Sequence, residues 1–192
     1  MRTSTINRKT KETEVSVSLN LDGYNPPRIR TNIPFLDHML TLLAFHGGFT
    51  LSVEANGDTP VDSHHTVEDV AITLGEAFKE AIGDKRGVAR YSTVFMPMDE
   101  SLSRVVVDLS NRPTLILYWD YSREVIGGFA LENVREFLKA FTDNARITLH
   151  ASVLYGDNDH HKVEALFKCL GRVLGEASKV NGDALPSTKG VL

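Results

Sequence analysis

One cysteine among 192 residues, Cys169, leaves no partner for an internal disulfide and points to a reducing compartment. No apolar run approaches the roughly 20 residues of a spanning helix. The opening stretch, Met1 to Thr13, is polar and charged. It lacks both the apolar core of a signal peptide and the acid-poor character of a transit peptide. An excess of positive charge is missing too: 21 Lys and Arg against 25 Asp and Glu give a net −4. A general nucleic-acid binder shows a strongly basic face, so that class is set aside. Pro/Gly/Ser-rich linkers and low-complexity tracts are also absent. A cytoplasmic protein with no nucleic-acid or membrane partner is expected.

What remains is ordinary globular material, 42% hydrophobic and 24% charged. A chain of this length buries roughly 70% of the surface it exposes when unfolded, so it needs no covalent staples. Alternation predicts a strand in which Val15, Val17, Leu19 and Leu21 share one face, ended by Asp22-Gly23 and Asn25-Pro26-Pro27. From Pro34 the pattern turns helical through Phe35, Met39, Leu42, Leu43 and Phe45, closed by Gly47-Gly48. Phe49, Leu51 and Val53 read as a strand. Asp62 or Ser63 then caps a long helix with Val67, Val70, Ala71, Leu74, Ala77, Phe78 and Ala81 on one side, and Gly83 ends it.

The second half repeats the order. Strands are predicted near Tyr91–Met98, Arg104–Leu109 and Thr114–Tyr121, a helix over about Leu131–Asn144, and a strand over Ile147–Tyr155. A last helix runs through Val163, Leu166, Phe167, Leu170, Val173, Leu174 and Ala177. His64-His65-x-x-Glu68 recurs as His160-His161-x-x-Glu164 at an offset of 96, and Phe49-Thr50-Leu51 as Ile147-Thr148-Leu149 at 98. Two copies, about 1–90 and 91–185, imply one pseudo-twofold domain followed by a short tail. Each helix needs cover for its apolar face. The expected fold is therefore α+β, a duplicated βα unit with two four-stranded mixed sheets flanking a helical layer.

Four of the seven histidines lie in the two His-His pairs. At i and i+4, His64 with Glu68 and His160 with Glu164 each set an imidazole and a carboxylate on one ridge, as a divalent metal requires of a helix. His65 and His161 are turned about 100° from their neighbours and should face a second metal. A single such pair reads equally well as a solvated helix start; a repeat at matched positions does not. Nitrogen and carboxylate donors without thiolate suit Mn²⁺, Fe²⁺ or Zn²⁺. Cys169 lies on the apolar side of its helix and reads as a core thiol. His38 sits on an otherwise apolar helix beside Asp37, a cap or supporting partner. Its counterpart at offset 98 is Glu136, and both residue types bind metals.

Several long ordered blocks resemble the imidazoleglycerol-phosphate dehydratase family. They are Phe35-Leu36-Asp37-His38-Met39-Leu40, His64-His65-Thr66-Val67-Glu68-Asp69-Val70, Pro97-Met98-Asp99-Glu100, Val107-Asp108-Leu109-Ser110, and His160-His161 through Glu164 to Phe167-Lys168. The likeness runs from Arg8-Lys9-Thr10-Lys11-Glu12-Thr13 to Leu185-Pro186-Ser187-Thr188-Lys189-Gly190. It implies a hydro-lyase of histidine biosynthesis with two Mn²⁺ ions per active site. It also implies sites shared between chains of a twenty-four-subunit homo-oligomer. The metal ligands would be His38, His64, His65, Glu68, Glu136, His160, His161 and Glu164. Phosphate would be held by Arg90, Arg112, Lys168, Ser187 and Lys189. Glu12, with Glu68 and Glu164, would be catalytic: the metals stabilise charge and orient the ring while Glu12 binds substrate and handles the carbon-bound proton. Lys168 also stands out unaided, one turn beyond Glu164 on the same ridge.

The family usually has His at position 136, Asp at 63 and Gly at 32. Glu136 would give one metal two carboxylates and favour a hard cation; Ser63 is expected still to cap its helix. Two other readings of the same residues stay open here: a di-metal phosphate-ester hydrolase and a non-catalytic metal-binding shell.

Overall fold

Alternation over β2 (Thr13–Asn20) turns Thr13, Val15, Val17 and Leu19 inward. In the computed structural model, which describes residues 1–192, this strand is the spine of the first sheet. It pairs antiparallel with β1 (Thr3–Lys9) on one side and β4 (Thr50–Gly57) on the other, and β3 (Arg28–Arg30) adds parallel to β4. The second sheet repeats this order. β6 (Ser101–Asp108) pairs with β5 (Tyr91–Met98) and β10 (Thr148–Tyr155), and β7 (Thr114–Tyr118) adds parallel to β10. The helices are α1 (Pro34–Gly47), α2 (His64–Ile82), α3 (Glu132–Ala145) and α4 (Asp159–Ala177). The expected architecture, two four-stranded mixed sheets with a helical layer, is the one observed.

The repeat is finer than its motifs suggested. β1 to β3 stand 88 residues before β5 to β7, α1 and β4 stand 98 before α3 and β10, and α2 carries its motif 96 before α4. The ten additional residues lie between β7 and α3 and form the small hairpin of β8 (Val125–Ile126) and β9 (Phe129–Ala130). That hairpin was not expected from the sequence, nor were β1 and β3. The hairpin is a two-stranded sheet of its own with strands of two residues, and β1 and β3 are edge strands; β1 seats only Ser4 fully inward, so its alternation carries little hydrophobic signal.

The copies are joined through their helices. α2 lies on β1 and β2 and α4 on β5 and β6, while α1 packs on α4 and α3 on α2. Glycine allows the close approach at matching places. A side chain at Gly171 would collide with the Leu43 carbonyl, and one at Gly75 would meet the Phe141 carbonyl at 2.8 Å. One continuous apolar core results, and it includes both sheets' inner faces. Because α1 and α4 cross at this fixed spacing, His38 is delivered to the start of α4.

Candidate active site

Asn158 begins α4 by accepting the His160 backbone N–H at 2.9 Å, a side-chain cap for an otherwise orphan donor. His160 and Glu164 then share a ridge, with Nε2 and Oε2 3.2 Å apart. From α1, His38 Nε2 reaches the same oxygen at 3.4 Å. Asp37 prepares this end of α1 by accepting the Thr31 backbone N–H at 2.8 Å and its hydroxyl at 2.6 Å. Glu164 is buried and takes Lys168 Nζ at 2.5 Å on its other oxygen. Burial by itself would raise the Glu164 pKa; Lys168, His38 and His160 outweigh it and hold the carboxyl below its ordinary value.

The donor atoms of His38, His160 and Glu164 lie within 4.8 Å of one another. Gaps of 3.2 and 3.4 Å are those of neighbouring donors around a cation with bonds of about 2.0–2.2 Å. Two imidazoles and a carboxylate, with no thiolate, fit a first-row divalent ion. The second ring of each His-His pair faces elsewhere. His65 Nδ1 lies 3.0 Å from Asp58 and 3.8 Å from Glu12. His161 Nδ1 lies 2.7 Å from Glu100, with Nε2 3.9 Å from Asp99. Hydrogen bonding to Asp58 and to Glu100 raises the two imidazole pKa values. His161 in turn holds the Glu100 carboxyl well below the usual carboxylate range. A proton therefore competes with a metal for these rings.

In the first copy His64 and Glu68 stand 3.9 Å apart, but the half-buried Glu136 does not complete a triple with them. The two copies are thus unequal: His38 closes on its partners within the chain and Glu136 does not. The phosphate candidates also divide. Lys168 stands at the Glu164 cluster, whereas Arg90 and Arg112 meet at Asp108, at 2.8 and 3.5 Å. Arg90 also donates to the Pro186 carbonyl at 2.7 Å, which sets the tail holding Ser187 and Lys189 beside it. Ser187 and Lys189 bond only within the tail: the Lys189 N–H donates to Ser187 Oγ at 3.3 Å, the Ser187 N–H to the Leu185 carbonyl at 2.8 Å, and the Ser187 carbonyl accepts from Gly190 at 3.2 Å.

The chain is similar throughout to proteins of known activity. The family model for imidazoleglycerol-phosphate dehydratase matches residues 31–174. The Clostridioides difficile imidazoleglycerol-phosphate dehydratase is 50% identical over all of both chains. This chain belongs to the imidazoleglycerol-phosphate dehydratase family. Solved dehydratases agree in fold. That of Staphylococcus aureus is 42% identical, with 91% of this chain and 97% of that one covered at a TM-score of 0.83. That of Pyrococcus furiosus, in complex with (S)-C348, is 39% identical, with 97% and 100% covered at 0.86. As a dehydratase of this family the chain is a hydro-lyase.

Two departures from the dehydratase pattern have structural answers. Asn32 adopts φ +63°, the left-handed region that favours glycine and that Asn tolerates best among other residues; its amide donates to the Ala55 carbonyl at 3.1 Å. Ser63, expected to cap α2, does not: its oxygen accepts from Asn133 at 3.0 Å. Asp62 Oδ1 takes the His64 backbone N–H at 2.8 Å instead. With α-helical backbone angles at Ser63, its side chain cannot fold back onto the first turn. Asp58, Asp99 and Glu100 were missed as site residues. A signal for the last existed, since Glu100 follows Glu12 by the same 88 residues as their strands.

Glu136 has a direct test. Glu136→His is expected to keep the fold and shift metal preference from hard cations toward Zn²⁺, because imidazole replaces carboxylate. Competition between Mn²⁺ and Zn²⁺, read by metal analysis, checks it. Wild-type metal content and turnover in Glu136→Ala would remove Glu136 from the ligands.

Proposed function

We propose that this chain removes water from imidazole glycerol phosphate to give imidazole acetol phosphate, in cytoplasmic histidine biosynthesis, with two Mn²⁺ ions per active site. The observation that carries the metal assignment is the meeting of His38, His160 and Glu164 around one point. One ion would be held by this trio. Its counterpart would take His64, Glu68 and Glu136, with His65 and His161 completing the sites. Three donors from one chain fall short of the six that Mn²⁺ favours. The shortfall is consistent with sites completed between subunits of a homo-oligomer of twenty-four chains.

When bound, the ions would supply charge stabilisation to the substrate's ring. The protein's own residues do the rest. Arg90 and Arg112, with Ser187 and Lys189 of the adjoining tail, offer forked and hydroxyl donors matched to phosphate oxygens. Lys168 adds a cation near the metal ligands. Glu12 takes the proton from the carbon beside the departing hydroxyl. Glu68 and Glu164 bring the negative charge that the metals need.

The protein loaded with Mn²⁺ is expected to convert imidazole glycerol phosphate to a keto phosphate without releasing inorganic phosphate. It should also restore growth to a strain lacking this step. Inorganic phosphate appearing without keto product would overturn the dehydration and favour a hydrolase.

A further inference from the structure

Asp69 is a buried carboxylate of α2 that none of these roles employs. It directly follows the proposed ligand Glu68 and is bound from the first sheet. Arg8 Nε on β1 donates to its Oδ1 at 2.7 Å, and the Thr13 hydroxyl on β2 donates to its Oδ2. These two partners flank the β1–β2 turn that carries Glu12.

The bonds beyond Thr13 lead to Glu12 in one direction. Thr13 gives its only hydroxyl proton to Asp69, so in the 3.2 Å contact between the Thr10 and Thr13 hydroxyls the donor is Thr10. Thr10 Oγ1 in turn accepts the backbone N–H groups of Glu12 at 3.1 Å and Thr13 at 3.0 Å, which fills both its lone pairs. An ionised acceptor at the end of such a chain strengthens each bond along it. On the other side, the Glu12 carbonyl accepts the Asp58 N–H at 3.1 Å. The Glu12 backbone is thus fastened twice, while its carboxylate accepts no hydrogen bond and stands 3.8 Å from His65.

The second copy fastens the matching turn by other means. At the 88-residue offset of the strands, Met98 stands for Thr10 and Ser101 for Thr13. At the 96-residue offset of the helix motifs, Ala165 stands for Asp69. No such chain can form there. The Glu100 carboxylate does the fastening itself, accepting the Ser101 hydroxyl at 3.0 Å together with the Asp157 and Asn158 N–H groups at 3.1 and 2.8 Å. An anchor on Asp69 leaves the glutamate of the first turn free.

We propose that Asp69 is a positioning residue for the reaction: through Thr13 and Thr10 it fixes the Glu12 backbone against the helix that carries His64, His65 and Glu68, so that the Glu12 carboxylate is aimed without being bonded. The inference rests on the proposed role of Glu12 as the base.

The test compares wild type, Asp69→Asn, Thr13→Val, Thr13→Ser, Glu12→Gln and the double variant Thr13→Val with Glu12→Gln, all loaded with Mn²⁺. Small misplacements of a reacting group are costly, so Thr13→Val and Asp69→Asn are expected to lower kcat by on the order of tenfold with KM within about threefold. Thr13→Ser keeps the hydroxyl and should retain most of kcat. In the Glu12→Gln background Thr13→Val should lower kcat no further, because the group it aims has lost its basicity. Bound metal should be unchanged, and amide hydrogen exchange at Thr10–Thr13 should be faster in Thr13→Val and Asp69→Asn than in wild type. Wild-type kcat or wild-type exchange in both variants, with kcat lowered in Glu12→Gln, would overturn the role of Asp69. So would a Thr13→Val loss that is equal in the two backgrounds, or one matched by missing metal. An intact kcat in Glu12→Gln would instead overturn Glu12 as the base, and with it the ground of the inference. Thr13→Val removes one hydroxyl at constant size, and decides the case if Asp69→Asn does not fold.

Discussion

Glu12→Gln is expected to lower kcat by a factor of about 10²–10⁴ while metal content and substrate binding stay near wild type. A base needs a carboxylate that is near the reacting atoms and not already committed. Two glutamates occupy matching hairpin turns, Glu12 between β1 and β2 and Glu100 between β5 and β6. Glu100 is committed: one oxygen accepts the Asp157 and Asn158 backbone N–H groups at 3.1 and 2.8 Å, and the other meets His161 at 2.7 Å. These bonds hold it ionised far into acid and engage its lone pairs. Glu12 is held through its backbone N–H, donated to Thr10 at 3.1 Å. Its exposed carboxylate accepts no hydrogen bond and stands 3.8 Å from His65, in one cluster with Asp58. Freedom from such commitment favours Glu12 over Glu100 as the proposed base. Glutamine keeps the size and the polarity and removes only basicity. Steady-state kinetics decides: an intact kcat with a raised KM would make Glu12 a binding residue and move the base elsewhere.

The pairing of those two turns shows where the sequence could be read and where it could not. Period-3.6 patterns on α2 and α4 and period-2 patterns on β2 and β6 came from buried apolar side chains, which leave a strong trace. The His-His-x-x-Glu repeat placed both ridges correctly, because i and i+4 geometry is local. Tertiary partners were harder. That His38 reaches Glu164 depends on how closely α1 and α4 cross, which is set by Gly171 against Leu43. Nothing local to His38 states that distance. The Glu136 match at offset 98 was equally good in sequence, yet its donor stays apart from His64 and Glu68. β1 was hidden because a margin strand with polar residues on both faces resembles a solvated leader. The pairing of Arg90 and Arg112 at Asp108 was hidden for a similar reason, since ion pairs leave no periodic trace.

Glu164→Ala is expected to remove about one bound metal ion per chain, abolish turnover and destabilise the protein as well. The two losses have different origins. Glu164 is a proposed metal ligand, and it is also the buried partner of Lys168 at 2.5 Å. Without it the Lys168 ammonium keeps only the Met98 sulfur, at 3.3 Å, and breaking such a buried pair costs about 3–5 kcal/mol. Because Lys168 and the two histidines depress the Glu164 pKa, the stability this carboxylate contributes is complete above the ordinary value of 4.5 and is lost only as pH falls through the lower folded value. Glu68→Ala provides the contrast. Glu68 is half exposed, and the position matching Lys168 in its copy is Ile72, so metal should be lost there with little change in Tm. Adding Lys168→Met to Glu164→Ala should recover Tm without recovering metal. Metal analysis of gel-filtered protein and thermal melts together settle the case. Undiminished metal in both single variants would end the assignment of the helix ridges as ligands, whatever the melts show.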